Sequence, residues 1–241
     1  MGSMNWFAIG AGLLCLSGAS QAPRDPLPGW PRLMLWAWER PENLEFLDPH
    51  SAGVAYLAGT ITWRDDGVTF HPRLQPLRVS LGTRIVAVVR LESRGELPAT
   101  AQVVGQILRA VSSPAGEAVQ IDFDARQSER QWYAALLRAV RERLPAHIPL
   151  TITALASWCQ SDRWLQDLPV QDAVPMLFRM GSNEPRQVRA FQTPPCDGSW
   201  GIATDEMPSA LPRGRRIFVF SPRPWDEGSY RAMVRLVARS Q

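Results

Sequence analysis

The sequence predicts an α/β fold, a (β/α)8 TIM-like barrel with some helices shortened or replaced by loops. Three observations carry that expectation. Eight short apolar runs recur along the chain, each bounded by turn residues. Several are apolar on both faces, as parallel strands covered by helices must be. Helical patterns lie between some of them, and strands alternating with helices imply a parallel sheet. The chain has 241 residues, 45% of them apolar, which suits one barrel domain of the usual size of about 200–250 residues.

Residues 1–22 read as a leader. The apolar run from Trp6 to Leu16 is followed by small residues and is too short to span a bilayer. It fits a signal peptide cleaved after Ala19, although no basic residue precedes it. A lipoprotein site wants a small residue before its cysteine, and Leu14 precedes Cys15. The periplasm or secretion is therefore expected rather than a lipid anchor, with no integral membrane span in the mature protein. Residues 23–31 form a Pro-rich linker, and 32–241 form a single barrel domain.

The strands are then RLMLWAWE (32–39), GVAYLAGTITW (53–63), RIVAVVRLE (84–92), AVQIDFDA (118–125), LTITALASW (150–158), AVPMLFRMG (173–181), WGIATDE (200–206) and RIFVFSP (216–222). A small hairpin, 64–80, is inserted after the second. Residues 98–112, 127–144 and 226–238 carry apolar stripes at helical spacing. Ser128 with Gln131 resembles a capping box opening the second of these. A doubly wound open sheet is the competing architecture. It would carry a Gly-rich phosphate loop after its first strand, where this chain reads WAWERPEN.

Composition narrows the function classes. All 26 basic residues are arginine and the net charge is +3. Arg213, Arg215 and Arg216 cluster around Gly214, read as a solvated loop rather than a nucleic-acid patch. His50, His71 and His147 stand apart, so neither a metal nor another cofactor is inferred. Beyond the leader two cysteines remain, Cys159 and Cys196. They are candidates for a disulfide, with two buried thiols as the alternative.

Chemistry concentrates at the strand ends, where barrels of this kind place their sites. Asp122 and Asp124 stand two apart in VQIDFDAR, so they share a face while Ile121 and Phe123 face the helices. Nearby carboxylates push one another's pKa values apart, which suits acid–base work. Asp124 is the leading catalytic candidate, with Glu39 as its opposing carboxyl and Asp122 one layer deeper. Arg90, Glu92, Arg179, Asp205 and Glu206 fall at the same rim, with Arg126 just beyond. Trp38 and Trp158 are candidates to stack on sugar rings.

At IDFDA the chain resembles glycoside hydrolase family 18, whose fourth strand carries D-x-x-D-x-D-x-E. Asp122 and Asp124 take the second and third acids; the first falls on Val119 and the proton-donating glutamate on Arg126. That family's M-x-Y-D pattern meets Met176-Leu177-Phe178-Arg179 here. With the acid glutamate and the tyrosine absent, chitinase-type chemistry is not expected. Arg126 and Arg179, standing where that family has the glutamate and an aspartate, point to an anionic saccharide. Nearly the whole chain after the linker is also similar to a bacterial family, domain of unknown function 3142, through LMLWAWERPENLEFLDP, VQIDFDARQSERQWY, LTITALASWC and AVPMLFRMG. That resemblance implies a barrel and export, and carries over no particular activity.

The expectation is an exported carbohydrate-active barrel, a glycoside hydrolase acting on an anionic envelope or extracellular glycan. The alternatives are a non-catalytic carbohydrate-binding barrel and an envelope scaffold. Oligomeric state is left open.

Overall fold

A computed structural model describes residues 24–64, 67–111, 116–160, 164–179 and 191–240. The leader expected at 1–22 lies outside them. The strands are β1 (Leu33–Ala37), β2 (Glu42–Leu44), β3 (Ala52–Arg64), β4 (Gly67–Pro72), β5 (Leu77–Val79), β6 (Ile85–Ser93), β7 (Ala118–Asp122), β8 (Leu150–Leu155), β9 (Asp172–Met176), β10 (Ser199–Ala203) and β11 (Arg216–Phe220). The helices are α1 (Thr100–Val111), α2 (Arg130–Arg143), α3 (Ala156–Gln160) and α4 (Glu227–Ala238).

Eight of the strands close into a parallel cylinder. Their order is β1, β11, β10, β9, β8, β7, β6, β3, and β3 pairs back onto β1 with Leu33 opposite Ala52. Each corresponds to one of the eight apolar runs. The residues inserted after β3 behave differently from a self-contained hairpin. β4 folds back antiparallel on β3, while β5 pairs in parallel with β2 to make a separate two-stranded sheet.

Alternation along the strands yields two cores. Leu33, Leu35, Val54, Val89, Val119, Ile121 and Ile152 face outward and pack with Val103, Ile107, Leu136 and Val140 of the helices. Met34, Trp36, Ala55, Val86, Val88, Ala118, Val174 and Phe218 fill the inside. A filled interior is what an eight-stranded cylinder requires. Trp36 spans that interior: its indole donates to the buried Gln120 Oε1 at 3.0 Å, and it reaches β10 at Gly201, where a Cβ would stand 2.8 Å from the ring.

The lower end is sealed by charge and chain. Arg216 is fully buried and donates to the carbonyls of Leu27, Trp30 and Pro31 and to Asp25 at 3.0 Å. The described part of the expected linker, residues 24–31, is thus a strap across the barrel floor, with Leu27 buried. The arginine cluster also departs from the solvated loop expected of it. Arg215 is buried and donates to the Asp197 carbonyl. Ser128 and Gln131 do not form the capping box. The reciprocal bond runs two residues earlier, from the Arg126 N–H to Glu129 Oε2 at 2.7 Å, opening a 3-10 turn that leads into α2.

Candidate active site at the barrel mouth

At the C-terminal end of the cylinder a cavity of about 460 Å3 opens between β1, β6, β7, β8, β9 and β11. Its size falls within the range of about 300–1,000 Å3 usual for ligand pockets. The aspartates stand in it because of strand parity. Asp122 ends β7, and its inward neighbours Gln120 and Ala118 continue down into the barrel interior. Asp124 lies two residues beyond the strand end, exposed at the opening. Ile121 and Phe123 turn outward into the helix-facing core.

Desolvation is the largest influence on both acids and raises both above the usual carboxylate range. For Asp122 the Thr153 hydroxyl, which donates to Oδ1 at 2.7 Å, opposes that rise, the Asp124 charge adds to it, and Arg90 opposes it. For Asp124 the Arg90 charge is the counterweight. Asp124 remains open to the cavity, yet enough protein surrounds it to strip part of its water. Neither acid forms a salt bridge among the described residues. Arg90 turns its Nε to Glu92 at 3.4 Å, and Glu92 is shared with Arg94 at 3.1 Å.

The walls are aromatic. Phe178 stacks on Phe220 with centroids 5.7 Å apart and planes within 4°, and meets Trp36 edge-on at 6.2 Å. Trp38 completes that side. Arg179 lies over the Phe220 ring at 5.1 Å, and its backbone adopts a left-handed φ of 54°. A non-glycine residue held there costs about 1–3 kcal/mol. Glu206 offsets part of that cost by accepting the Arg179 N–H at 2.8 Å. The Arg179 guanidinium has no acidic partner among the described residues. Arg73 fixes the end of β1 beneath Trp38 by donating to the carbonyls of Ala37, Trp38 and Arg40.

The remaining sequence candidates fall in three places. Asp122, Asp124, Trp38, Arg90 and Arg179 all line the cavity. Glu92 and Arg126 line a second hollow next to it. Glu39, Asp205, Glu206 and Trp158 line neither. Glu39 is exposed and close enough to Arg73 to act on its charge. Asp205 is exposed, and Glu206 serves the Arg179 backbone. Trp158 is not at a strand end at all. The chain turns into α3 at Ala156, and the Trp158 ring is buried edge-on against Trp164 at 5.0 Å. The cavity also holds residues that the sequence reading passed over, among them Trp36, Thr153, Leu155, Met176, Phe178 and Phe220. Counting alternate positions inward from the strand ends would have found them.

The sulfurs of Cys159 and Cys196 are bonded, with Cα atoms 5.8 Å apart, tying α3 to the segment before β10. Among the described residues no group of three or more His, Cys, Asp or Glu could hold a metal ion. No described helix is long and apolar enough to cross a membrane.

Residues 82–187, from the start of β6 into the segment after β9, match the model of a family described as "Domain of unknown function (DUF3142)". This agrees with the resemblance read from the motifs. No curated protein matches the chain. Among solved structures, the crystal structure of the Bacillus cereus spore cortex-lytic enzyme SleL matches with a TM-score of 0.47 at 16% identity, covering 70% of this chain and 50% of that one. The chain therefore spans about half the length of that protein.

Proposed function

We propose that this protein is an exported carbohydrate-active barrel that hydrolyses a glycosidic bond in an anionic glycan. The observation that carries the reading is the mouth cavity, which brings two partly or fully desolvated carboxyls together with four aromatic rings and a guanidinium without an acidic partner among the described residues. Trp38 and the Phe178–Phe220 stack offer flat apolar faces to the C–H faces of a sugar. The Arg179 guanidinium is suited to grip a carboxylate or phosphate on that sugar. Asp124, raised above the ordinary range and open to the cavity, keeps its proton to higher pH than a free aspartate. It acts as the general acid on the departing glycosidic oxygen. Asp122, behind Asp124 and held by the Thr153 hydroxyl, is raised by burial and by the Asp124 charge, so the two acids share a proton rather than both ionising. The Cys159–Cys196 bond supports export, since disulfides persist in oxidising compartments.

A second reading, a barrel that binds glycans without cutting them, has one observation in its favour. The two acids come from the same end of β7, and among the described residues no carboxyl from another strand lines the cavity. Hydrolysis ordinarily uses acids on opposite sides of the scissile bond.

The test is to incubate the purified protein with panels of acidic and neutral polysaccharides, beside an Asp124→Asn variant, and to measure both retention and new reducing ends. The expected outcome is product from acidic glycans with the unmodified protein only, with loss of at least about a hundredfold in the variant. Retention without product would favour the second reading. Better retention of neutral chitin oligomers than of acidic glycans would remove the anionic substrate.

A further inference from the structure

Asp124 belongs to two hollows. One is the mouth cavity. The other, of about 290 Å3, lies on the β6–β7 side and is lined in part by Glu92, Arg94, Phe123, Arg126 and Glu129 as well as by Asp124. The hollows place one arginine each without an acidic partner among the described residues. In the mouth cavity this is Arg179. In the side hollow the two carboxylates other than Asp124 are already engaged: Glu92 lies between Arg90 at 3.4 Å and Arg94 at 3.1 Å, and Glu129 accepts the Arg126 N–H at 2.7 Å. The Arg126 guanidinium is left exposed with no such engagement. The two guanidinium groups, neither with an acidic partner among the described residues, thus belong to different hollows that share the carboxyl proposed to act on the bond.

We infer that the substrate is a repeating acidic polysaccharide lying across Asp124, with one charged residue held at Arg179 and a further one at Arg126, and that it is cut within the chain rather than at a terminal sugar. This rests on the reading of the mouth cavity given above and extends it. A site for a terminal acidic sugar would need the mouth cavity alone. A second hollow that shares the central acid gives the chain a place to continue. Each anion met by a guanidinium adds a charge-assisted contact, worth roughly tenfold in affinity.

The experiment titrates galacturonate and mannuronate oligomers of increasing length into the intact protein by calorimetry, with neutral cello-oligosaccharides of equal length as controls. Arg126→Ala and Arg179→Ala are run in parallel. Arg126 is exposed, so its variant keeps the fold; a thermal melt checks this for both. The unmodified protein is expected to bind longer uronates roughly tenfold or more tighter than the monomer. Arg126→Ala should abolish that gain while leaving monomer affinity unchanged. Arg179→Ala should weaken every length. Affinity independent of length, or equal weakening of monomer and oligomer by Arg126→Ala, would overturn the inference and leave the mouth-cavity reading standing. Failure of the unmodified protein to prefer uronates over neutral oligomers at any length would overturn both.

Discussion

Asp172 stands at the opposite end of the barrel from the cavity and shows how strongly position governs a carboxyl. It is fully buried at the start of β9, and neither of its oxygens accepts a hydrogen bond among the described residues. Burial pushes it up to about 7, against the opposing pull of the neighbouring Ser199 hydroxyl and of Arg216 and Arg24. An acid raised in the folded state weakens the fold once it must ionise. Below about pH 4 both states carry the proton and there is no penalty. Between there and about 7 the unfolded chain releases its proton while the folded chain keeps it, so stability declines as pH rises. Above that window the loss is complete, on the order of 4 kcal/mol for a shift from 3.8 to about 7. Denaturant melts of Asp172→Asn should therefore match the unmodified protein near pH 4 and exceed it at pH 8. Parallel pH dependence in the two proteins would show that Asp172 is not the group responsible. Nothing in QDAVPM singles this aspartate out, because a strand's first residue is buried or exposed according to what closes the barrel beneath it. Here that is the strap at 24–31, which the sequence presents only as a run of prolines.

Among the elements, the strands were readable and their ends were not. All eight barrel strands coincide with apolar runs, since burial on both faces leaves a continuous hydrophobic signature. The parity of IDFDA correctly sends Ile121 and Phe123 outward and Asp122 inward. Trp158 was misplaced because LTITALASW reads as one strand, whereas β8 stops at Leu155 and the next residues coil into α3. The same parity turns Glu39 away: Trp36 and Trp38 hold the cavity side, so position 39 falls with Leu35 and Ala37 on the other face, and it lines neither hollow. Gly201 illustrates a packing demand that no local pattern carries. Its missing side chain admits the Trp36 indole from across the barrel. Gly201→Ala should destabilise by about 1–3 kcal/mol, as overpacking generally does. It should also tilt Trp36 and weaken the glycan binding proposed above. A calorimetric melt and one binding titration check both, and unchanged values would mean that the ring has room to yield.

For the whole molecule, closure is what turns scattered residues into a site. Trp38 of the first strand's end, Arg90 of β6, the aspartates at the end of β7 and Arg179 after β9 meet only because β3 pairs back onto β1. The Cys159–Cys196 bond reinforces the side of the barrel where helices are sparse, joining positions 37 residues apart. Loop-closure entropy alone gives it about 4 kcal/mol. Reduction should lower the thermal midpoint accordingly while a Cys159→Ser, Cys196→Ser double variant shows the same loss without reductant. The most direct measurement of the central claim, that the mouth holds two desolvated carboxyls in one shared cavity, is a carbon-13 NMR titration of the aspartate carboxyls, assigned with Asp122→Asn and Asp124→Asn. Both resonances should titrate above the free value of about 3.9, and the Asp122 midpoint should fall when Asp124 is replaced. Ordinary midpoints, or an Asp122 midpoint indifferent to Asp124, would contradict it.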